Sequence, residues 1–254
     1  MSALIQVETV WHLMQACQDA YGDTPSDSAA LLDDQSSPRG FLRKTWDRFA
    51  GRGGGTIAIA GTKSIKDFLT DARCFPPADV DGFPVHPGFH EEFLKIWPQI
   101  LDTYRDMDYR TVICVTGHSL GGVLAREVAY HLAKVLDLDV TLVTLGEPKF
   151  STPDFYRAFG KLVPRSVRIQ HHVDLVPRLP HLFYSHAPNL LRLDDDGTTP
   201  TFSGILGFFE RYNEVLLSDI DGQALADHHV DKYVNAGYRW RMRKATKGID
   251  SIEV

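Results

Sequence analysis

The stretch Val115-Thr116-Gly117-His118-Ser119-Leu120-Gly121-Gly122 constrains this chain more than any other. Its Gly117-x-Ser119-x-Gly121 core is preceded by Thr111 to Thr116, a β-branched and apolar run without a charge, which suits a buried strand. It is followed by Val123, Leu124, Val128, Leu132 and Val135, spaced for one face of a helix. A strand, a sharp turn and a helix with this pentapeptide at the turn predict a nucleophile elbow. At an elbow the serine sits in a strained backbone conformation while strand and helix pass close together, so side chains at 117 and 121 would collide. The turn would present Ser119 Oγ and aim the Leu120 N–H, at a helix N-terminus, toward a developing oxyanion.

The remaining pattern alternates strands with helices, which predicts an α/β fold with a mainly parallel central sheet and helices on both faces. Its 254 residues suffice for a single domain over 1–254. Helices are expected at Leu4 to Tyr21, Ile65 to Ala72, His90 to Tyr104, Asp154 to Phe159, Ile205 to Leu217 and Val230 to about Tyr238. Strands are expected at Thr56 to Ala60, Val140 to Leu145 and Ser166 to His171, whereas Phe41 to Phe49 is ambiguous. Leu190 to Leu193 and Thr201 to Phe202 flank Asp194-Asp195-Asp196-Gly197 like a hairpin. Asp23 to Gly40 reads as a loop with a short apolar patch at Ala29 to Leu32, and Gly51 to Gly55 as a flexible turn. Four prolines between Cys74 and Pro87 argue against regular structure there, and Gly248 to Val254 is expected to fray.

A serine hydroxyl needs a base to take its proton and a third group to hold that base. At this kind of elbow the carboxylate and then the histidine follow the serine in the chain. Asp174 stands at a strand end in a proline-bounded turn, and His228 and His229 precede the last helix. Both places fit the carboxyl ends of strands, where open α/β sheets gather active groups. Asp174 has the alternative role of capping its turn, and residue chemistry alone barely separates His228 from His229. The second oxyanion donor is expected from Ala60-Gly61-Thr62, where Gly61 permits close backbone approach and Thr62 offers an N–H and a hydroxyl. Thr62 also fits the N-cap of a helix starting near Ser64.

In ordered blocks the chain resembles the class 3 lipase family, the fungal triacylglycerol lipase type of α/β-hydrolase. Ala60-Gly61-Thr62 with the segment after it resembles that family's oxyanion block, and Val85-His86-Pro87-Gly88-Phe89 its VHxGF block. The elbow, Gly146-Glu147-Pro148 and Asp174-Leu175-Val176-Pro177-Arg178-Leu179-Pro180 follow in the family's order. In the final block a histidine precedes a tyrosine by five, and that spacing selects His228, with Tyr233, over His229. The resemblance implies an α/β-hydrolase fold with Ser119 as nucleophile, His228 as base, Asp174 as orienting carboxylate, and Thr62 and Leu120 as the oxyanion hole. It departs at Ala60, where the family has an arginine, and at Lys149-Phe150-Ser151. His86 reads as structural. An apolar lid is placed by the resemblance at Ile65 to Phe75, while Phe202 to Leu217 is a second apolar stretch that fits a core helix of the domain as well as it fits a segment lining an acyl site or touching a lipid surface.

The expected activity is therefore carboxylic ester hydrolysis on a lipid or other ester substrate, as a lipase or carboxylesterase. A phospholipase A1 or an aryl-ester (feruloyl-type) esterase would use the same chemistry, and a non-catalytic binding protein on this fold is the reading from another class. No cofactor or metal is called for: HExxH is absent, and the three cysteines form no CxxC pair. A formal net charge of −6 without a basic stripe argues against nucleic acid. No apolar run approaches the roughly 18 residues of a membrane span. The N-terminus lacks the charge and apolar length of a signal peptide, so a cytoplasmic protein, or one exported without a cleaved signal, is expected.

Overall fold

The computed structural model describes residues 3–32, 38–47, 52–62, 77–105, 112–172, 174–179, 183–199 and 228–254. In chain order the described elements begin with β1 (Leu4–Gln6), α1 (Val7–Asp19), β2 (Ala29–Leu32), β3 (Pro38–Asp47) and β4 (Arg52–Ile59). Next come β5 (Ala78–Val80), β6 (Phe83–Val85), α2 (Pro87–Tyr104), β7 (Val112–His118) and α3 (Leu120–Val135). The chain continues through β8 (Asp139–Leu145), α4 (Pro153–Leu162), β9 (Arg165–His171), β10 (Leu190–Leu193), α5 (Val230–Thr246) and β11 (Ser251–Glu253).

Seven of the described strands form one sheet in the order β10-β9-β8-β7-β4-β3-β2. The pairs from β10 to β4 are parallel, and β3 and β2 add antiparallel at one side. Strand alternation divides the core into two layers. Val140 and Leu142 of β8 join Ile113 and Val115 of β7 beneath α2, α3 and α4. Val143, Leu145, Val167 and Ile169 point the other way, to α1 and α5, where Trp11, Met14, Tyr233 and Trp240 fill the space. The mainly parallel sheet with helices on both faces is thus the expected one.

Several local expectations are corrected, and each correction traces to a partner distant in sequence. The helix expected from Leu4 starts at Val7, because Leu4–Gln6 pairs antiparallel with Ser251–Glu253, the segment expected to fray. The apolar patch at Ala29–Leu32 is a strand with Leu31 buried, paired with β3, and the ambiguous stretch after Gly40 is β3 itself. The glycine run at 53–55 is part of β4, not a flexible turn. A Cβ at Gly55 would lie 2.6 Å from Tyr104 Cε1, so the missing side chain makes room for a ring whose hydroxyl donates to Arg43 O at 2.9 Å.

Within the proline-rich segment, β5 and β6 form a small hairpin turning at Asp81 (φ 56°) and Gly82 (φ 86°). That Asp-Gly pair is a hairpin signal visible in the sequence. Leu190–Leu193 is a strand running parallel to β9; Thr201 and Phe202, the other arm of the expected hairpin, lie outside the described residues. The last helix continues beyond Tyr238 to Thr246 because Trp240 is buried against the core. The helices expected at Ile65 to Ala72 and Ile205 to Leu217, and both lid segments in the parts beyond Thr62 and before His228, lie outside the described residues.

One consequence of packing is a pH-sensitive layer between α2 and α3. The His131 ring lies 4.9 Å from that of Phe93 and 5.4 Å from that of Trp97. Burial pushes its pKa down from 6.5 to about 4, against the pull of nearby Asp81. A base held neutral in the folded chain contributes full stability above pH 6.5 and loses it as pH falls toward 4, because the unfolded chain takes up its proton first. The expected loss from this group at pH 5 is about 2 kcal/mol. Urea unfolding at pH 7 and pH 5 should show that much less acid sensitivity in His131→Phe. An unchanged pH dependence in the variant would assign the effect to another group.

Candidate active site

Ser119 sits between β7 and α3 with φ 58° and ψ −127°, the strained turn that the sequence predicts. Its N–H donates to Leu145 O at 2.9 Å, which fixes the turn against the neighbouring strand end. A Cβ on Gly117 would overlap the Gly121 carbonyl, and one on Gly121 would lie 2.6 Å from Ala60 O. Strand, helix and the end of β4 are therefore stacked backbone on backbone, which is the physical demand behind the pentapeptide. Leu120 is buried at the first turn of α3, where backbone N–H groups have no partner within the helix.

Gly61 and Thr62 leave the end of β4 beside this turn. A Cβ on Gly61 would stand 2.8 Å from Ser119 Cβ. Thr62 is half-buried there; the helix that it was expected to cap lies outside the described residues.

Asp174 is fully buried after β9 and divides its two oxygens between two tasks. Oδ1 accepts the Val176 N–H at 2.9 Å, holding the turn, and Oδ2 accepts from His228 Nδ1 at 2.8 Å. The turn-capping role and the role toward histidine thus coexist in one carboxylate. Tyr233 Oη donates to the same Oδ2. Burial, and then the Asp174 charge, push the Tyr233 phenol well above its ordinary pKa, so it is a donor at every physiological pH. The sequence marks Tyr233 only by its spacing from His228; its contact with the carboxylate arises in the folded chain.

His228 is buried while His229, one residue on, is exposed and occupies the N-cap of α5. Of the other histidines, His171 faces Asp195 at 3.2 Å, and the His86 ring packs on Phe89 and Tyr184. His186 is driven down to about 2 by burial and then by Arg168. His181 lies outside the described residues. Ser119 Oγ and His228 Nε2 are both buried without a hydrogen-bond partner, so the bond expected between them is not formed in this state. Such contacts often tighten only when substrate is bound.

Gly146 packs this corner. Its φ is 57°, and a Cβ there would stand 3.0 Å from His228 Cε1 and 3.1 Å from Asp174 Oδ2. The next residue, Glu147, makes a buried two-bond pair with Arg126 of α3 at 2.5 and 2.6 Å, and accepts from Thr144 Oγ1. This pair clamps the turn after β8 onto the elbow helix. It was not legible in the sequence, where Arg126 is one of several charged residues, with Glu127 and Lys134, in a mainly apolar helix. Among the described residues no group of three or more His, Cys, Asp or Glu could hold a metal ion, and no helix is long and apolar enough to cross a membrane.

What this geometry provides is a strained serine, two nearby backbone segments suited to an oxyanion, and a histidine oriented by a buried carboxylate. A model of the class 3 lipase family matches residues 56–184. A lipase of Caenorhabditis elegans is 35% identical over 132 residues, covering 49% of this chain and 37% of its own length. A phospholipase A1-II 1 of Oryza sativa subsp. indica is 27% identical over 198 residues, 66% of this chain and 50% of that protein. The chain spans half or less of the length of these curated relatives. The solved structure of a Lip2 lipase from Yarrowia lipolytica matches with a TM-score of 0.54 at 22% identity, over 76% of this chain and 82% of that one. The fold is that of the α/β-hydrolases.

Proposed function

This chain belongs to the class 3 lipase family, and from that membership we propose that it is a serine hydrolase of lipid carboxylic esters. The observation that carries the reading is the Asp174–His228 pair, 2.8 Å apart, beside a strained serine with no partner for its hydroxyl. Ser119 Oγ attacks the ester carbonyl as its proton passes to His228 Nε2. The Asp174 carboxylate keeps the hydrogen of His228 on Nδ1, leaving Nε2 free to accept. The backbone N–H groups of Thr62 and Leu120 receive the oxyanion. His228 then protonates the leaving alcohol, and in the second half it draws a proton from water that releases the acid from Ser119. The apolar acyl chain and a transient contact with a lipid surface complete the proposal. A phospholipase A1 is the second reading, favoured by the breadth of the match to the rice protein.

Hydrolysis of p-nitrophenyl esters from acetate to palmitate tests this, with a fluorophosphonate probe alongside. Turnover rising toward the long chains is the expected result for a lipase, and a short-chain optimum would mean an esterase. Labelling of Ser119 without turnover of any of these esters would point to a phospholipid head group. Absence of both turnover and labelling would overturn the assignment.

A further inference from the structure

Tyr21 follows the end of α1 and belongs to none of the blocks that carry the family resemblance. The residue is 41% exposed, yet its hydroxyl reaches inward to two parts of the candidate site. The Gly61 N–H donates to Tyr21 Oη at 2.8 Å. On its other side the phenol meets His118 Nδ1 at 2.6 Å. Since Oη accepts from Gly61, its own proton is available for His118 Nδ1, which places the remaining imidazole hydrogen on Nε2. Burial holds the phenol protonated and the imidazole neutral, the two states that this bond requires. The His118 ring in turn lies 4.6 Å from the His228 ring.

The position of the bond gives it consequence. The last sheet hydrogen bond at the end of β4 is from Ala60 N–H to Arg39 O, at 2.8 Å. The next N–H, that of Gly61, goes to Tyr21. Thr62 follows immediately. A Cβ on Gly61 would stand 2.7 Å from Tyr21 Oη and 2.8 Å from His118 O, so the phenol and the elbow form the two walls of one slot.

We propose that Tyr21 is a positioning residue, whose hydroxyl ties Gly61 of the oxyanion segment to His118 of the elbow and so fixes the spacing between the Thr62 and Leu120 donors. This rests on the ester-hydrolase reading above. Oxyanion donors act by being aligned before charge develops. Loss of the tie should therefore weaken the transition state while leaving substrate binding intact.

The test is Tyr21→Phe, which keeps the exposed ring and removes only the hydroxyl. The expected result on p-nitrophenyl esters is kcat lower by about tenfold or more, short of the 10²–10³ for loss of a whole oxyanion donor, with KM unchanged. The rate of fluorophosphonate labelling should fall in step, with the melting temperature close to that of wild type. Combined with His118→Gln, the double variant should lose no more than the larger single one, because both act through one bond. A kcat within twofold of wild type, or a loss that appears in KM and melting temperature instead, would overturn the proposal. Should Tyr21→Phe fail to fold, His118→Gln alone decides by the same kcat and KM criteria. Wild type that neither turns over esters nor labels would instead fail the parent reading, and is recognised without any variant.

Discussion

Replacing Ser119 by alanine is expected to reduce ester turnover by about 10⁶-fold, the scale on which a serine nucleophile acts together with its histidine. The fold should be unaffected. Ser119 Oγ makes no hydrogen bond, and the Ser119 N–H keeps its bond to Leu145 O at 2.9 Å. Alanine meets the same backbone strain at φ 58° as serine does, so no new cost arises. Turnover, fluorophosphonate labelling and thermal melting measured together give the answer. Loss of the first two with an unchanged melt is the expected outcome. A variant retaining activity within tenfold of wild type would remove Ser119 from the chemistry.

Asp174→Asn is expected to lower kcat by about 10⁴-fold, and the hydrogen bonds around the carboxylate say why. Oδ1 faces a donor, Val176 N–H, and Oδ2 faces two, His228 Nδ1–H and Tyr233 Oη–H. An asparagine must turn its NH₂ toward one side or the other. Toward His228 it drives the imidazole into the tautomer with Nε2 protonated, which cannot take the serine proton. Toward Val176 it opposes a backbone donor and opens the turn that places the residue. Rate measurements with pH, beside a melting curve, test this. The expected result is a large fall in kcat with KM little changed. A loss below tenfold would mean that His228 is oriented by something other than Asp174.

The elbow was legible because its cause is local. Close passage of backbone at Gly117 and Gly121 forbids side chains whatever the rest of the chain does, and the apolar periods before and after Ser119 are short-range patterns. Asp174 was legible for a similar reason, standing at a strand end in a turn bounded by Pro177. The choice of His228 over His229 was different. Both residues share the same local chemistry, and only the spacing to Tyr233 favoured the first. In the folded chain they diverge because the N-cap of α5 turns His229 outward while His228 faces Asp174.

The errors have the same origin. Gly55 looked like a turn residue because the ring that needs its space, Tyr104, is distant in the sequence. Leu4–Gln6 looked helical, and Ser251–Glu253 looked loose, because each pairs with the other from the opposite end of the chain. Tyr21 gave no signal, since its two partners lie 40 and 97 residues away. By itself the sequence determined the alternation of elements, the strained serine turn and the candidates for the groups around it, all of which follow from steric and periodic demands between near neighbours. Only the tertiary structure decided which polar atoms meet: Tyr21 with Gly61 and His118, Arg126 with Glu147, and Tyr233 with Asp174. Hydrogen bonds between residues far apart in the chain depend on the packing of whole elements, and they leave no period in the sequence to read.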